Sequence, residues 1–466
     1  IYTPHIKLIA AFDHRHIFID PDPDAEASFV ERERMFALPR SSWGDYDAKL
    51  ISAGGGIFSR AAKSIKITPA MQQRFDIRDE KLTPVELISQ LLKAPVDLLW
   101  NGGIGTYIKS SHETNTDVGD KANDSLRVNG KDVRARVIAE GGNLGMTQLG
   151  RIEYGLKGGL SNTDFIDNSA GVDCSDHEVN IKILIDDVVN AGDLTLKHRN
   201  QMLAQMTDSV AELVLLDNYR QAQCISIAQT ESVYRMGEYR RYIQALVANG
   251  KLDRELEFIP GEEELHDRLL NNKGLVRPEL ATLLSYSKAI LKDQLAQSGL
   301  HQDVYIRREA ERAFPAVLVE RFPDALARHK LLPQLVATQV ANNIVNYMGI
   351  TFMHRMIDAA GSPPSDIARA FIAARDVFDM EKWWHEIEKL DAAVPADEQL
   401  DMMRQLVRLM RRATRWFLRN HRCGMNVEEI VKRFQPGVRE IASAMPVALC
   451  GSRRQVWETR HAHLLE

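Results

Sequence analysis

The chain has 466 residues, of which 44% are hydrophobic and 26% charged, and its formal net charge is −5. At roughly 100–200 residues per domain this length predicts several globular domains. The acidic balance gives no general attraction for nucleic acid or an anionic membrane, and no apolar run reaches the roughly 18 residues of a membrane span. The four cysteines form no CxxC pair, which argues against a zinc ribbon or a disulfide framework and favours a reducing, cytoplasmic location.

Residues 1–190 alternate short apolar segments with helical ones. Ile6–Phe12 has the near-continuous apolar character of a strand covered on both faces. Thr83 and Glu86 flank Pro84 in the pattern of a capping box, which predicts the start of a helix. Further strands are predicted at "VDLLWN", at Val133–Ala139 and at Asn162–Asp167, with a helix near Met146–Tyr154. The alternation predicts an α/β domain with a doubly wound, Rossmann-like parallel sheet.

Four small polar residues follow predicted strands: Asp13, Asn101, Asn143 and Asn168. In parallel sheets ligands bind at the carboxyl ends of the strands, so we expect these side chains at a binding site. An acidic residue such as Asp13 can accept hydrogen bonds from a dinucleotide ribose. It can equally be a turn or helix-cap residue, and the residues alone leave both alternatives open.

The stretch "NTDFIDNSAGVDCSDHEVN", residues 162–180, concentrates carboxylates, a thiol and an imidazole, all of which are possible metal ligands. It matches no EF-hand, and Cys174 and His177 have no second pair of ligands nearby in sequence. Small residues after Asn168 let the backbone approach a ligand closely, and Ser175 lies early in the following helix, where an anion is favoured. We therefore predict that the stretch binds substrate and no metal, with Asp173 facing away from the pocket.

Beyond residue 190 strand signals disappear and helical spacing dominates, as in Val336, Val340, Ile344 and Tyr347 before Gly349. We predict a helical domain over 191–393 and a terminal helical segment over 394–466, the latter truncated. A stripe of arginines between 404 and 422 could serve a phosphate or nucleic-acid partner. The net acidity favours solvation or pairing with the protein's own acidic surface.

Several segments resemble glutamate dehydrogenases. "RVIAEGGN" followed by "DFIDNSAGVDCSDHE" is similar to the end of their cofactor domain. "AAFDHRHIFIDPDPD", "SSWGDYDAKLIS", "LLWNGGIGTYIK", "RPELATLLSYSK" and "ATQVANNIVNYMGITF" resemble the very large bacterial NAD-specific members. The chain departs from the smaller enzymes at Ala170, Asp173 and Cys174.

The resemblance implies a role for each matched position. Asn143 is expected near the nicotinamide ribose and Asn168 beside the nicotinamide and the substrate. Val172 and Ser175 match positions that contact the side-chain carboxylate of the substrate. The remaining matches are cofactor positions: Asn101 and Gly102 in a strand-end turn, and Asp13 at the adenosine ribose, where it favours NAD.

The implied reaction is oxidation of L-glutamate to 2-oxoglutarate and ammonia, with NAD as hydride acceptor. The family's catalytic lysine and aspartate, and the first βα unit of its cofactor domain, are expected upstream of Ile1. The chain is therefore expected to be an inactive fragment of a cytoplasmic, homo-oligomeric enzyme. Two alternatives stay open: another NAD-dependent amino-acid dehydrogenase, and a non-catalytic oligomerisation or regulatory module.

Overall fold

The computed structural model describes residues 3–420 and 425–465, so that Arg422 and Cys423 lie outside the described residues. The chain divides into two compact units. The α/β unit comprises Ile1–Ser169 with Val276–Glu279, and the helical unit comprises Ala170–Leu275 with Leu280–Glu466. The division into three domains at residues 190 and 393 stays a prediction.

The strands of the α/β unit are short. They are β1 (Ala10–Phe12), β2 (His16–Ile19), β3 (Gly56–Ser59), β4 (Ile65–Lys66), β5 (Lys81–Leu82), β6 (Leu98–Asn101), β7 (Ile108–Lys109), β8 (Val128–Asn129), β9 (Val137–Glu140) and β10 (Leu160–Ser161). Its helices are α1 (Ala25–Phe36), α2 (Pro69–Phe75), α3 (Pro84–Leu92), α4 (Asn115–Val118), α5 (Gln148–Leu156) and α6 (Asp164–Asp167). Short 3-10 turns lie at Trp43–Asp45, Ala48–Leu50, Lys121–Asn123 and Gly130–Asp132.

After residue 169 the regular elements of the described chain are all helices, joined by turns and loops. The first of these helices are α7 (Ala170–Asn190), α8 (Leu196–Gln205), α9 (Thr207–Glu231), α10 (Met236–Ala248), α11 (Glu262–Leu270), α12 (Arg277–Ala296), α13 (Val304–Arg307), α14 (Ala316–Arg321) and α15 (Pro323–Ala327). The later ones are α16 (Leu332–Met348), α17 (Phe352–Ala360), α18 (Pro364–Val377), α19 (Met380–Glu388), α20 (Ala396–Asn420), α21 (Val427–Ala448) and α22 (Gly451–Leu465), with 3-10 turns at Leu300–Gln302 and Arg308–Ala313. The predicted layout, an α/β region followed by a mainly helical one, is confirmed at this coarse level.

The α/β unit contains a three-stranded parallel sheet in the order β10-β9-β6. Its register pairs Leu98 with Val137 and Asn101 with Glu140, and Leu160 continues the sheet beside Val137. All three strands therefore end at the same edge. Ile138, at the centre, is buried and packs with Leu87 and Ile88 of α3 in one hydrophobic cluster.

The start of α3 agrees in detail with its prediction. The Thr83 hydroxyl accepts from the Glu86 N–H, and the Glu86 carboxylate accepts from the Thr83 N–H at 2.8 Å. Leu87, Ile88 and Leu92 then lie on the buried face. The capping box and the apolar spacing are local signals, which is why the sequence predicts this helix correctly.

The prediction for Ile6–Phe12 is wrong in two respects. Only Ala10–Phe12 is a strand, and it pairs antiparallel with β2, which itself pairs antiparallel with β3. The Asp13 carboxylate accepts from the N–H groups of Arg15 and His16 at 2.7 Å each, which closes a tight hairpin. The hairpin tip contains no glycine, so the usual sequence signal for such a turn is missing.

The prediction of a strand over Asn162–Asp167 is also wrong. The strand there is β10, which ends at Ser161, and Asp164–Asp167 forms the short helix α6. Asn168 is the C-cap of α6 and donates its backbone N–H to Asp164. The one buried apolar residue of α6, Ile166, satisfies a single helical turn as well as it would a strand.

The helical unit has its core around α16 and α18. Ile344 and Tyr347 of α16 and Phe371 of α18 are fully or almost fully buried, as is Trp384 of α19. α18 packs against both α20 and α21, and its small residues, such as Ala370, permit this close approach. Gly349 ends α16 with a φ of 90°, as predicted. Among the described residues no helix is both long and apolar enough to cross a membrane.

Candidate functional site

The carboxyl edge of the parallel sheet brings three predicted residues to one side of the α/β unit. Asn101 is the last residue of β6 and pairs in register with Glu140, the last residue of β9. The Gly141 N–H then donates to the Asn101 carbonyl at 2.8 Å. The turn after β9 carries Asn143, whose Oδ1 accepts from Asn168 Nδ2 at 2.7 Å.

The Asn143–Asn168 hydrogen bond leaves two complementary groups. Asn143 Nδ2 is a donor and Asn168 Oδ1 is an acceptor, and neither has a hydrogen-bond partner in the part of the chain that the structure describes. An amide pair held in this way can bind a hydroxyl or carboxamide group with both donor and acceptor. Asn168 thus joins the sheet edge through Asn143, although α6 separates it from β10.

Asn101 has an unusual environment. Its Nδ2 is buried and has no partner among the described residues. A Cβ at position 145 would lie 1.7 Å from this nitrogen, so Gly145 is required here. Leaving a buried donor without a partner costs about 1–3 kcal/mol, and such orphaned groups in native proteins call for an explanation such as a bound ligand.

The glycine turns beside Asn101 are packed against an indole. A Cβ at Gly102 would lie 2.7 Å from Trp100 Nε1, and a Cβ at Gly141 would lie 2.4 Å from Trp100 Cζ2. The Trp100 side chain is 45% exposed, so it covers these turns while one part faces solvent. Gly102, predicted as a cofactor residue, therefore lies in a turn where backbone and ring approach each other closely.

A buried ion pair that sequence reasoning missed supports the edge. Arg151 of α5 donates Nε to Glu140 Oε2 at 2.7 Å and Nη2 to Oε1 at 2.9 Å. Glu140 Oε1 also accepts from the Met146 N–H at 3.0 Å, which ties down the end of the turn after β9. Burial raises the pKa of Glu140, and the bidentate Arg151 opposes this shift. The sequence signal was a charged residue ending a predicted buried strand.

Asp167, the residue before Asn168, is hydrogen-bonded to Glu140 at the end of β9. Its Oδ2 accepts from the Glu140 N–H at 3.1 Å, and its Oδ1 accepts from Asn162 Nδ2 at 2.8 Å. Asn162 Oδ1 in turn accepts from Arg277 Nε at 2.9 Å. Burial raises the pKa of Asp167. Asn168 therefore follows a residue whose carboxylate is fully engaged.

Asp13 lies apart from this arrangement, in the antiparallel hairpin. Besides the two hairpin bonds, its Oδ2 accepts from the Trp43 N–H at 3.2 Å. Partial burial raises the pKa of Asp13, but the three backbone donors outweigh it and the net pKa is lowered. The structural premise of the prediction, a residue after a parallel strand, is wrong, and the ribose role stays a prediction.

In the helical unit, Val172 and Ser175 lie one turn apart on α7, three residues from each other, and share an exposed face. Val172 is 70% exposed. The Ser175 hydroxyl donates to the Gly171 carbonyl at 3.2 Å and keeps its lone pairs accessible. Both residues could contact a ligand without rearrangement of the helix.

Asp173 is half-buried on another face of α7, and the prediction that it faces away from the substrate pocket stays a prediction. Asp173 and His177, with Asp217 of α9, place one ligand atom each within 4.8 Å of the others. Burial, reinforced by the Asp217 carboxylate, raises the pKa of Asp173 to about 6. The sequence argument against a metal site assumed that His177 has no second ligand group, whereas the fold supplies Asp217 from another helix.

These features define an α/β unit whose parallel strands end at one edge, the position at which many α/β proteins bind ligands. Two family models match the chain. "Bacterial NAD-glutamate dehydrogenase, catalytic domain" matches residues 1–228, and "Glutamate dehydrogenase, C-terminal" matches residues 272–466. The chain belongs to the bacterial NAD-glutamate dehydrogenase family.

Curated relatives named "NAD-specific glutamate dehydrogenase" match nearly the whole chain. The Pseudomonas aeruginosa protein is 57% identical over 99% of the chain, and the Halomonas elongata protein is 53% identical over all of it. The Mycobacterium tuberculosis protein is 43% identical over 98%. The chain spans only 28%, 29% and 28% of the lengths of these three relatives.

Proposed function

We propose that this chain contributes cofactor placement and part of the substrate site to an enzyme that oxidises L-glutamate to 2-oxoglutarate and ammonia with NAD. The observation that carries the proposal is the amide pair Asn143–Asn168 at the carboxyl edge of the sheet, in a chain similar to NAD-specific glutamate dehydrogenases. We further propose that the complete enzyme is cytoplasmic and homo-oligomeric.

The sheet order supports the finer description of the fold. In a doubly wound sheet the second half adds consecutive strands side by side on one flank. β6, β9 and β10 lie side by side in chain order and are all parallel, while β7 and β8 between the first two form a separate two-stranded sheet. We therefore propose that these strands are the second half of a Rossmann-like domain.

The residues at the edge fit NAD. The orphaned Asn101 Nδ2 offers a buried donor, and the Asn143–Asn168 pair offers a donor and an acceptor. Asn101, Gly102, Asn143 and Asn168 would hold the cofactor, which when bound accepts the hydride from the substrate. The chain's own contribution is to orient polar groups on a rigid sheet edge, which lowers the entropic cost of reaching the reactive geometry.

The substrate proposal concerns the exposed face of α7. Val172 would contact the aliphatic part of glutamate, and the Ser175 hydroxyl would turn from the Gly171 carbonyl to donate to the side-chain carboxylate of glutamate. No residue of this chain is assigned a proton-transfer role, because the resemblance assigns that chemistry to a lysine and an aspartate outside it. We accordingly expect no NADH formation when glutamate and NAD are added to this chain alone, and steady turnover there would contradict the assignment.

Ser175→Ala in the complete enzyme tests the substrate proposal. A hydrogen bond to a charged group contributes about 1.5–3 kcal/mol, so KM for glutamate should rise roughly 10- to 150-fold while KM for NAD is unchanged. Ser443→Ala is a matched control, because Ser443 is also exposed and donates to the carbonyl four residues earlier, that of Arg439, at 3.0 Å. An unchanged KM for glutamate would refute the role of Ser175. Replacing glutamate by other amino acids in the same assay separates glutamate dehydrogenase from other amino-acid dehydrogenases.

Asp13→Asn separates the two roles of Asp13. Asparagine keeps the side-chain oxygen that closes the hairpin and removes the charge that opposes a 2′-phosphate. If Asp13 contacts the ribose, the preference for NAD over NADP falls by roughly a hundredfold, since a charge clash of this kind is worth a few kcal/mol. If it is only a turn residue, the preference is unchanged and the ribose role is wrong.

A further inference from the structure

The three side chains Asp173, His177 and Asp217, here called the Asp173 cluster, converge from two packed helices of the helical unit. Asp173 and His177 are four residues apart on α7, which places both on one face of the helix. Asp217 comes from α9. Their ligand atoms lie within 4.8 Å of one another, a spread that small rotations of the two aspartates would reduce to the distances between ligands of one metal ion.

The imidazole is oriented by a group outside the cluster. His177 is only 6% exposed, and its Nδ1 lies 2.9 Å from the Ala313 carbonyl oxygen. A carbonyl only accepts, so Nδ1 donates to it, which leaves Nε2 as the ring nitrogen that faces the cluster. Nε2 faces Asp173 Oδ1 at 3.9 Å and has no hydrogen bond among the residues that the structure describes. Metal-binding histidines are commonly fixed in this manner, through the nitrogen that does not bind.

Neither carboxylate of the cluster has a hydrogen-bond donor in the part of the chain that the structure describes. Within the described chain neither Asp173 nor Asp217 accepts a hydrogen bond, and the His177 contact at 3.9 Å is the nearest ion pair of Asp173. The two carboxylates and the Nε2 edge of the imidazole therefore face one another, and no hydrogen bond joins them among the described residues. Such an arrangement is unfavourable unless a cation completes it.

The charges around the cluster limit what can bind. Lys288 of α12 acts on both carboxylates without forming an ion pair with either among the described residues, and Arg220 acts on Asp217 from further along α9. Asp176 adds negative charge from α7. The Lys288 ammonium balances part of the acidic charge, so an incoming cation must compete with it.

We propose that Asp173, His177 and Asp217 form a binding site for one divalent transition-metal ion of the zinc class. One imidazole nitrogen and two carboxylate oxygens suit Zn²⁺ or Mn²⁺, whereas Ca²⁺ and Mg²⁺ favour oxygen-only sets with more ligands. Bound metal links α7 to α9. It steadies the first turns of the helix whose other face carries Val172 and Ser175.

Calorimetric titration of the full chain with ZnCl₂, after removal of metal with EDTA, tests the proposal. The unsubstituted chain should bind one equivalent of Zn²⁺ that His177→Ala and Asp217→Asn each lose or weaken at least tenfold. His354→Ala is the matched control, since His354 and Asp358 form another His–Asp pair four residues apart, at 3.3 Å, with no third ligand among the described residues. This control should bind as the unsubstituted chain does.

Lys288→Met is a second test, in which the expected result is tighter Zn²⁺ binding. A variant that failed to fold would not bind Zn²⁺ more tightly. Removing the competing ammonium should tighten Zn²⁺ binding at least severalfold, whereas a cluster that binds nothing gives no such gain. Zinc binding that survives both His177→Ala and Asp217→Asn, or a Lys288→Met chain that binds no more tightly, overturns the proposal. The titration contains neither NAD nor glutamate, so its outcome is independent of the proposed dehydrogenase activity.

Discussion

Two charged clusters in the helical unit differ in how their carboxylates are hydrogen-bonded: the Asp173 cluster and the Glu309 cluster, which consists of Glu309, Arg312 and Arg375. Glu309 receives Arg375 Nη2 at 2.6 Å and Nη1 at 3.0 Å, and Arg312 Nε at 2.8 Å. The carboxylates of the Asp173 cluster receive no hydrogen bond within the described residues. Burial by itself would raise the pKa of Glu309, but Arg375 and Arg312 lower it to about 2. The pKa of Asp173 is raised instead, to about 6.

The comparison distinguishes a buried carboxylate that stabilises the fold from carboxylates that have no hydrogen-bond donor in the described chain. A buried ion pair is stable only when its lone pairs and protons are all engaged, which holds for Glu309. A group left without a partner is destabilising in isolation and persists where something else compensates. The four predictions below test this contrast, in order of expected effect.

Disrupting the Glu309 cluster should have the largest effect on the free energy of unfolding. Arg375→Met removes two hydrogen bonds to Glu309 and two to Asp376, and it leaves the Glu309 charge only partly compensated, so the free energy of unfolding should fall by about 3–5 kcal/mol. Urea unfolding followed by circular dichroism measures the loss. A change below about 1 kcal/mol would show that Glu309 is not the anchor that its contacts indicate.

The Glu309 cluster should also make the stability of the folded chain depend on pH. The pKa of Glu309 is about 2 in the folded chain, against 4.5 for the free side chain, so the folded state binds fewer protons between these values. The stabilisation is complete above about pH 4.5 and is lost as the pH falls toward 2, with a total of about 3 kcal/mol. Comparing acid unfolding of the unsubstituted chain with that of Glu309→Gln isolates the effect. Parallel stability curves from pH 5 to pH 2 would contradict it.

Removing a charge from the Asp173 cluster should stabilise the chain, the opposite of the effect expected for the Glu309 cluster. In EDTA, Asp217→Asn removes one of two repelling carboxylates at nearly constant shape, so the free energy of unfolding should rise by about 1 kcal/mol. Thermal unfolding in EDTA measures it. A clear loss of stability would mean that Asp217 has a stabilising partner and that the contrast with Glu309 is wrong.

An exposed pair gives the smallest effect. Arg439 donates Nε and Nη2 to Asp379, both at 2.7 Å, in the same bidentate form as Arg375, but its side chain is 60% exposed. Arg439→Ala should therefore leave the urea midpoint of unfolding almost unchanged. A loss as large as that of Arg375→Met would show that geometry, and not burial, sets the difference.

Local signals in the sequence were sufficient for some elements. The capping box at Thr83 and the apolar spacing before Gly349 each lie within a few residues, and both helices form as predicted. The strand ends at Asn101 and near Asn143 were predicted for the same reason. These features need no knowledge of what packs against them.

The missed features depend on distant partners or on weak turn chemistry. Asp217 joins His177 from forty residues further along the chain, and Arg375 meets Glu309 across sixty-six residues. Spacing in one sequence carries no information about such pairs. The Asp13 hairpin was missed because an aspartate side chain does the work usually signalled by glycine.

The half-exposed indole of Trp100 gives the sheet edge an optical readout of its own. Its ring covers the turns at Gly102 and Gly141, so any molecule settling there changes the polarity around the ring and hence its emission. The α/β unit contains one other tryptophan, Trp43, which packs against Phe18 in the antiparallel sheet. Because the helical unit carries four further tryptophans, the Trp100 signal is obtained as the difference in emission between the unsubstituted chain and Trp100→Phe, which reports occupancy without turnover or an attached dye.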